Sequence, residues 1–405
     1  MKRAMIFSLL LASAVPLSAK TINVVPGPDM REAIQTALLD AKSGDIVALP
    51  AGKFAISNSI SLDVNGVTIR GEGPDKTILS FKGQTQGGEG LLVTSSRVLL
   101  TGFAIEDTGG DGIKAKGSDR ITFHNLRVEW TGGMKATNGA YGVYPVTSTN
   151  VLIDNVTVRY CADAGIYVGQ SKNIIVRNSL VEFNVAGIEI ENSFNADVHD
   201  NVAQRNTGGI LIFDLPDLPQ QGGHTARVFR NKLLDNDTPN FAPKGAIVES
   251  VPKGLGVMVM ASRNVHIFDN DFNNNGTASV MVVAYPRKID DERYNPLPRD
   301  VFVGANRFGR GGWAPDFPGG KELAAAVGGS LPPVVWDGAE KWDVKGQIKG
   351  EPVRIGFIGG KLLSFGLPVA PTDPSKANPA MIEVRTTPIE TPPAVVLPTD
   401  QPGPA

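Results

Sequence analysis

Six residues set the chemical question: Lys114, Lys116, Tyr144, Tyr167, Glu189 and Glu191. Each lies two or four places after a glycine that opens a short run: Gly112, Gly142, Gly165 or Gly187. Gly142, Gly165 and Gly187 follow one another at 23 and 22 residues. If those runs are strands in register, the six side chains fall on one face, about 4.8 Å apart from run to run. Tyrosine rings stack on the apolar faces of sugars, and Lys114 and Lys116 can pair a uronate carboxylate. Glu189 and Glu191, two apart, point the same way. They can act as a general acid and base or hold Ca²⁺ through oxygen ligands. The plain alternative is an exposed sheet solvated by charges.

The frame behind these positions is a repeat. Asparagines stand eight residues after the glycines, at Asn150, Asn173 and Asn195, and Asn155, Asn178 and Asp200 stand thirteen after. Gly112, Gly209 and Gly256 extend the pattern, with Gly90 upstream and Ser279 downstream. Each copy has room for three short strands. Ile166 and Val168, then Ile174 and Val176, then Val181 supply the alternating apolar residues of one coil. Period-two alternation in runs this short reads as strand, and a fixed period in this range marks a stacked architecture. The expected fold is all-β: a single-stranded parallel β-helix with coils of about 22 residues.

Before the repeat, Asp29 to Gly44 reads as an amphipathic helix, capped by Asp29 with Glu32 three residues on. A stack needs its open end covered, so this helix is expected to cap it. Lys2 and Arg3 precede an apolar run from Ala4 to Val15, with small residues at Ser18 and Ala19. That pattern predicts a secretory signal peptide and a secreted or periplasmic protein with no membrane span after cleavage. The only cysteine, Cys161, has no partner for an internal disulfide. A net charge of −2 gives no bulk attraction for nucleic acid. The domain reading is 1–19 signal peptide, 20–45 N-terminal cap, 46–312 β-helix, 313–365 C-terminal cap region and 366–405 tail. The tail holds 10 prolines and no periodicity, and is expected to be disordered.

Two insertions interrupt the coil that begins at Gly209. One carries Asp214 and the other Lys244. They leave the coil on either side of the first strand and are expected to wall a groove along it, bringing Asp214 and Lys244 to the six residues above. A further long loop runs from Tyr285 to Asp300. Leu211, Met258 and Met281 continue the same face as an apolar stretch, expected to be buried by the insertions while the polar stretch stays open.

The helix, the Gly-Ile-x-Ile coils and the asparagine ladder resemble the right-handed parallel β-helix superfamily, which includes pectate lyases, polygalacturonases and alginate C5-epimerases. Gly209-Ile-Leu-Ile-Phe-Asp-Leu-Pro-Asp-Leu-Pro219 and Asn240-Phe-Ala-Pro-Lys244 resemble exported bacterial β-helix repeat proteins that have no settled function. The resemblance covers roughly residues 22–310. It implies a right-handed stack and, as one function, binding or processing of an acidic polysaccharide in the manner of a lyase or epimerase. The alternative is a non-catalytic β-helix that binds an envelope glycan or serves as a scaffold. The polygalacturonase strings Asn-Thr-Asp, Gly-His-Gly and Arg-Ile-Lys do not occur. Asp197-Val198-His199-Asp200 approaches the epimerase string Asp-Pro-His-Asp, but His199 falls on the second strand, where a structural role is expected. No metal-ligand set stands out beyond the possible Ca²⁺ pair.

Overall fold

The computed structural model describes residues 19–386 and 389–403. The expected leader, but for Ala19, lies outside the described residues. The rest of the chain winds into a β-solenoid of about 13 turns. One outer wall is a twelve-stranded sheet built from the first strand of each coil, and the other two walls merge into a twenty-stranded sheet. Pairing between successive coils is parallel, with Ile166 opposite Ile188, then Ile210, then Val257. Uninterrupted coils advance 22 or 23 residues, as between Ala164 and Ala186. Insertions raise the mean to about 26.

The inward residues are the ones the alternation predicts. Ile166, Ile188, Ile210, Val257, Val176 and Val198 are fully buried in one continuous core. Between strands the chain must turn with left-handed backbone. Asn150, Asn173 and Asn195 have φ of 56°, 55° and 62°, a conformation asparagine tolerates better than most residues. Their amides form a ladder: Asn173 Nδ2 donates to Asn150 Oδ1 at 3.1 Å, and Asn195 Nδ2 to Asn173 Oδ1 at 2.9 Å.

Two further ladders run inside the stack, where the repeat reading had not placed them. Asn184, Asn206, Asn236 and Asn275 are wholly buried, each donating its amide to the oxygen of the next. Asn201, Asn231, Asn270 and Asn306 form the second. Each oxygen also takes a backbone N–H from the coil before, so a turn that belongs to neither strand keeps its donors satisfied.

Helix α1, Met30–Asp40, is shorter than the Asp29–Gly44 reading, because the chain turns extended at Ala41, with ψ 149°, before it reaches the left-handed turn at Gly44. Asp29 accepts the Glu32 N–H at 3.0 Å, but Glu32 pairs with Arg31 rather than closing the box. Met30, Ile34 and Leu38 face the first coils, and Gln35 and Arg31 bond to Ser61 and Ser59. Stacking also continues past residue 312. Val334–Trp336 pairs with the strand Ala278–Val283, and Ile355–Phe357 with Arg299–Val303. The period vanishes from the sequence there only because long connections separate these strands.

The tail departs from the disordered reading in its described residues. Ala380–Glu383 adds an antiparallel strand to Lys361–Ser364 at the end of the twelve-stranded sheet. Residues near 395–402 lie along the twenty-stranded sheet: the Val395 N–H meets Asp197 Oδ2 at 3.0 Å, and Arg120 pairs Asp400 at 3.1 Å. Gln401 donates to the Thr122 hydroxyl and to the Asn150 carbonyl. Prolines suit such a strap, since an extended chain without N–H donors loses nothing by leaving the ladder.

If the inner ladder carries the turn, Asn206→Ala strands buried partners on both neighbouring coils and lowers unfolding free energy by about 3 kcal/mol or more. Asn195→Ala, on the partly exposed outer ladder, costs about 1 kcal/mol or less. Urea denaturation of the two variants compares them directly, and equal losses would show that burial of the ladder is immaterial.

Candidate functional site

The outward face of the twelve-stranded sheet carries the predicted residues in the predicted order. Lys114 lies beside Tyr144, Tyr167 beside Glu189, and Glu189 beside Leu211. Gly169, Glu191 and Phe213 form the parallel row two residues on. Lys114 Nζ sits 4.6 Å from the centre of the Tyr144 ring and 3.7 Å from Asp111. Tyr144 meets Tyr167 edge-on at 4.9 Å. The hydroxyl of Tyr167 donates to Glu191 Oε1 at 2.5 Å.

The structure adds three residues that the strand offsets miss: Asp111, Tyr141 and Asp163. Tyr141 stacks on Tyr167 at 4.2 Å, and its backbone N–H reaches Asp111. Asp163 lies in the turn just before Gly165, and the Tyr141 hydroxyl favours its ionised form. An outward-offset argument covers only residues inside the strands, and these three stand at strand entrances. The recurring signal was a polar residue one or two places before the glycine.

These groups are far from solvated, contrary to the open platform expected. Glu189 is 1% exposed and Glu191 5%. The reason is the covering chain. The insertion at 214–223, the insertion at 235–254 and the loop at 284–298 do not stand as two walls; they fold down on the sheet and tie to one another. The Tyr294 hydroxyl donates to the Asp214 carbonyl at 2.5 Å, Gln221 to Asp291 at 2.9 Å, and Arg287 to the Ala246 carbonyl at 3.1 Å. Leu211, Met258 and Met281 are buried under them, as the apolar stretch predicted. Asp214 is part of this roof. Its carboxylate accepts the N–H groups of Gly222 and Gly223, so it fixes the loop instead of facing a ligand. Lys116 is exposed beyond the tyrosines, and Lys244 is exposed on the second insertion.

Burial determines the protonation of the cluster. Loss of solvent pushes Asp163 up to about 7, with the charge of Glu191 adding to it. Burial likewise pushes Glu191 up to about 7, although the Tyr167 hydroxyl favours its ionised form. Glu189 is raised well above its ordinary range, by burial and then by Asp163 and Glu191. Neither of its oxygens receives a hydrogen bond. A proton on Glu189 finds an acceptor in Glu191, so this carboxyl is held neutral. Burial raises Asp111 to about 6 against the pull of Lys114. Burial pushes Tyr144 up to about 12, which keeps it a neutral donor. The group as a whole can pass protons near neutrality.

His199 is elsewhere. It lies on the twenty-stranded sheet, 2.6 Å from Asp200, and stacks on Phe229. Asp197 is held by Arg227 and by the tail. Cys161 is buried in the core, which raises its thiol well above its ordinary range. Among the described residues no group of three or more His, Cys, Asp or Glu is arranged to hold a metal ion. No helix among them is long and apolar enough to cross a membrane.

A family model described as a right handed beta helix region matches residues 65–248. With the stacked topology, that match gives the chain the right-handed parallel β-helix fold. Among solved structures, the chain is similar to the Azotobacter vinelandii mannuronan C-5 epimerase AlgE4 A-module. Identity is 17%, the TM-score is 0.58, and the alignment covers 81% of this chain and 83% of that one. It is also similar to a DFA-IIIase variant from Arthrobacter chlorophenolicus A6 in complex with DFA-III, at 15% identity and a TM-score of 0.51, covering 92% and 100%. At these identities the likeness is one of fold. No curated protein sequence gives a significant match.

The raised carboxyls fix a sign for stability. Their folded pKa values lie above the unfolded ones, so the native state binds more protons between about pH 4 and pH 7. Stability is therefore greatest at the acid end of that window and falls as pH rises through it. Thermal unfolding across this range should show the fall, and Glu189→Gln should flatten it and raise the melting temperature above pH 7. A melting temperature that instead climbs with pH would contradict the buried cluster.

Proposed function

We propose that this face processes an acidic polysaccharide by proton transfer, in the manner of a lyase or epimerase. The observation that carries the reading is the pair Asp163 and Glu191, buried on an outward face beside Tyr141 and Tyr167 and poised to exchange protons near pH 7. An acid kept near neutrality is suited to general acid–base work. Glu189 is held protonated and Asp163 and Glu191 are only partly ionised at neutral pH, so together they repel an anionic sugar less than their number suggests. Lys114 offers the cation for a uronate carboxylate, and the Tyr141 and Tyr144 rings offer a stacking surface.

In this mechanism Asp163, the least buried of the three central carboxyls, takes the proton α to the uronate carboxylate. Lys114 stabilises the charge that develops on that carboxylate. Tyr144, kept neutral, donates a proton to the sugar. Return of the proton to the opposite face gives epimerisation, and loss of the 4-linked oxygen gives an unsaturated end. Tyr167 and Glu191 orient and tune Asp163 from behind. Glycan-active proteins among the similar folds are consistent with this reading. Export to the periplasm or the outside would put the protein with such substrates. Ca²⁺ remains an unassigned addition, and no step here uses it.

A second reading is favoured by the depth of Glu189 and Tyr167, which cannot touch a glycan from where they lie. On that reading the cluster is a structural network, and the face only binds.

Incubation with alginate and pectate in deuterated water separates the two. The catalytic reading predicts deuterium incorporation at the uronate carbon or an unsaturated product, with the rate rising through about pH 7 as Asp163 ionises. Asp163→Asn should reduce it by about a hundredfold or more, and Lys114→Ala should chiefly raise KM. Binding without exchange in the unmodified protein would leave only the second reading.

A further inference from the structure

Exposure along the outward row of the first sheet stops at one coil. Ser61 pairs with Leu92, Leu92 with Lys114, and Lys114 with Tyr144. Ser61 is exposed, and Leu92, Lys114 and Tyr144 are half-buried. Asp63, Thr94 and Lys116, each two residues further along its strand, are exposed. In the next coil Tyr167 is only 5% exposed, and Glu189 and Leu211 after it are buried.

The step has a single cause. Tyr167, Phe213, Val251, Ile289 and Tyr294 form one apolar cluster between the sheet and the inserted loops, and Tyr141 and Tyr144 pack on its margin. The other end of the row has no such cover. Helix α1 meets the sheet there through the backbone carbonyls of Ser59 and Ser61 and leaves the face of Ser61 outside. The outward face is therefore an open lane of four coils, closed at the tyrosines and unobstructed toward the N-terminal cap. Three steps of about 4.8 Å make it about 14 Å long.

We infer that this face takes the end of an acidic chain and not its interior. The terminal unit lies at Tyr144 and Asp163, and the rest of the chain leaves over Lys114, Leu92 and Ser61. The inference rests on the acidic-polysaccharide reading and adds to it which part of the polymer is the substrate. The argument is steric. Lys114 and Tyr144 succeed one another along the stack axis, so a chain held by both runs along that axis. A chain engaged through its interior needs open face on both sides of the reacting unit. On the far side the place is filled by Tyr167 and Glu191 beneath the loops, with the Tyr167 hydroxyl already spent on Glu191. A chain along the axis stops there.

Calorimetry with the full chain tests this on oligomannuronates and oligogalacturonates of defined length. End binding predicts one protein per chain whatever the length, whereas interior binding predicts a stoichiometry that grows with length. In deuterated water, any label should enter the terminal unit first, as read by mass spectrometry of fragments. Thr94→Glu places a like charge in the open lane, on an exposed position that the fold tolerates. It should weaken the longer oligomers by about fivefold and leave the free monosaccharide unaffected. A stoichiometry that rises with length, label in interior units, or longer oligomers indifferent to Thr94→Glu would overturn the inference and leave the acidic-polysaccharide reading standing. Absence of uronate binding at every length would overturn both. One protein per chain without proton exchange would keep end recognition and remove only catalysis.

Discussion

Every feature of this molecule depends on the register between coils. A parallel stack has no turn-by-turn hairpins to set its pairing, so something inside each coil must hold the next in place. Apolar side chains alone do so weakly, because a slip by two residues keeps the same side facing inward. The buried asparagine ladders remove that freedom. Asn206 takes the Asn184 backbone N–H and amide, and passes its own amide to Asn236. A slipped coil would leave all of these unpaired inside the core, at a cost of about 1–3 kcal/mol for each group. The ladder thus converts a forgiving hydrophobic stack into one with a single register.

Fixed register is also what makes a site from residues more than twenty places apart in sequence. Tyr144, Tyr167 and Glu189 are neighbours only because each coil repeats the last without drift. The insertions then change the environment of what the register has aligned. By roofing the coils from Gly208 onward, they extend low polarity over Glu189, Glu191 and Asp163, and the carboxyls respond by holding protons. The same roof ends the open face at Tyr144. Carboxyl cluster and closed lane are two consequences of one covering layer.

Conservative geometry on the other two walls contrasts with this. On the twenty-stranded sheet, charged residues pair across coils, as Arg159 does with Glu182 and Arg177 with Asp154. The tail covers part of it at Asp197 and Thr122. His199 falls in this setting, paired and stacked, and the string around it serves the wall. On the first sheet the inserted loops exclude water from the outward-facing acids Glu189 and Glu191.

The sequence by itself determined the fold, the coil length where it is uninterrupted, and which side chains share a face. These follow from period-two alternation and from asparagine at fixed offsets, both local properties of the chain. It showed the rows Lys114, Tyr144, Tyr167 and Glu189, but not Asp111, Tyr141 and Asp163, which lie at strand entrances where alternation says nothing about direction. It showed that Asp214 and Lys244 belong to insertions, but not that Asp214 would turn inward onto Gly222 and Gly223. It lost the coils after residue 312, where long connections hide the period. Only the tertiary structure decided where the inserted loops lie, because loop placement depends on contacts such as Tyr294 with Asp214, eighty residues apart. Those loops remove water from the carboxyls, and solvent exclusion by distant segments cannot be read from the spacing of the residues it protonates.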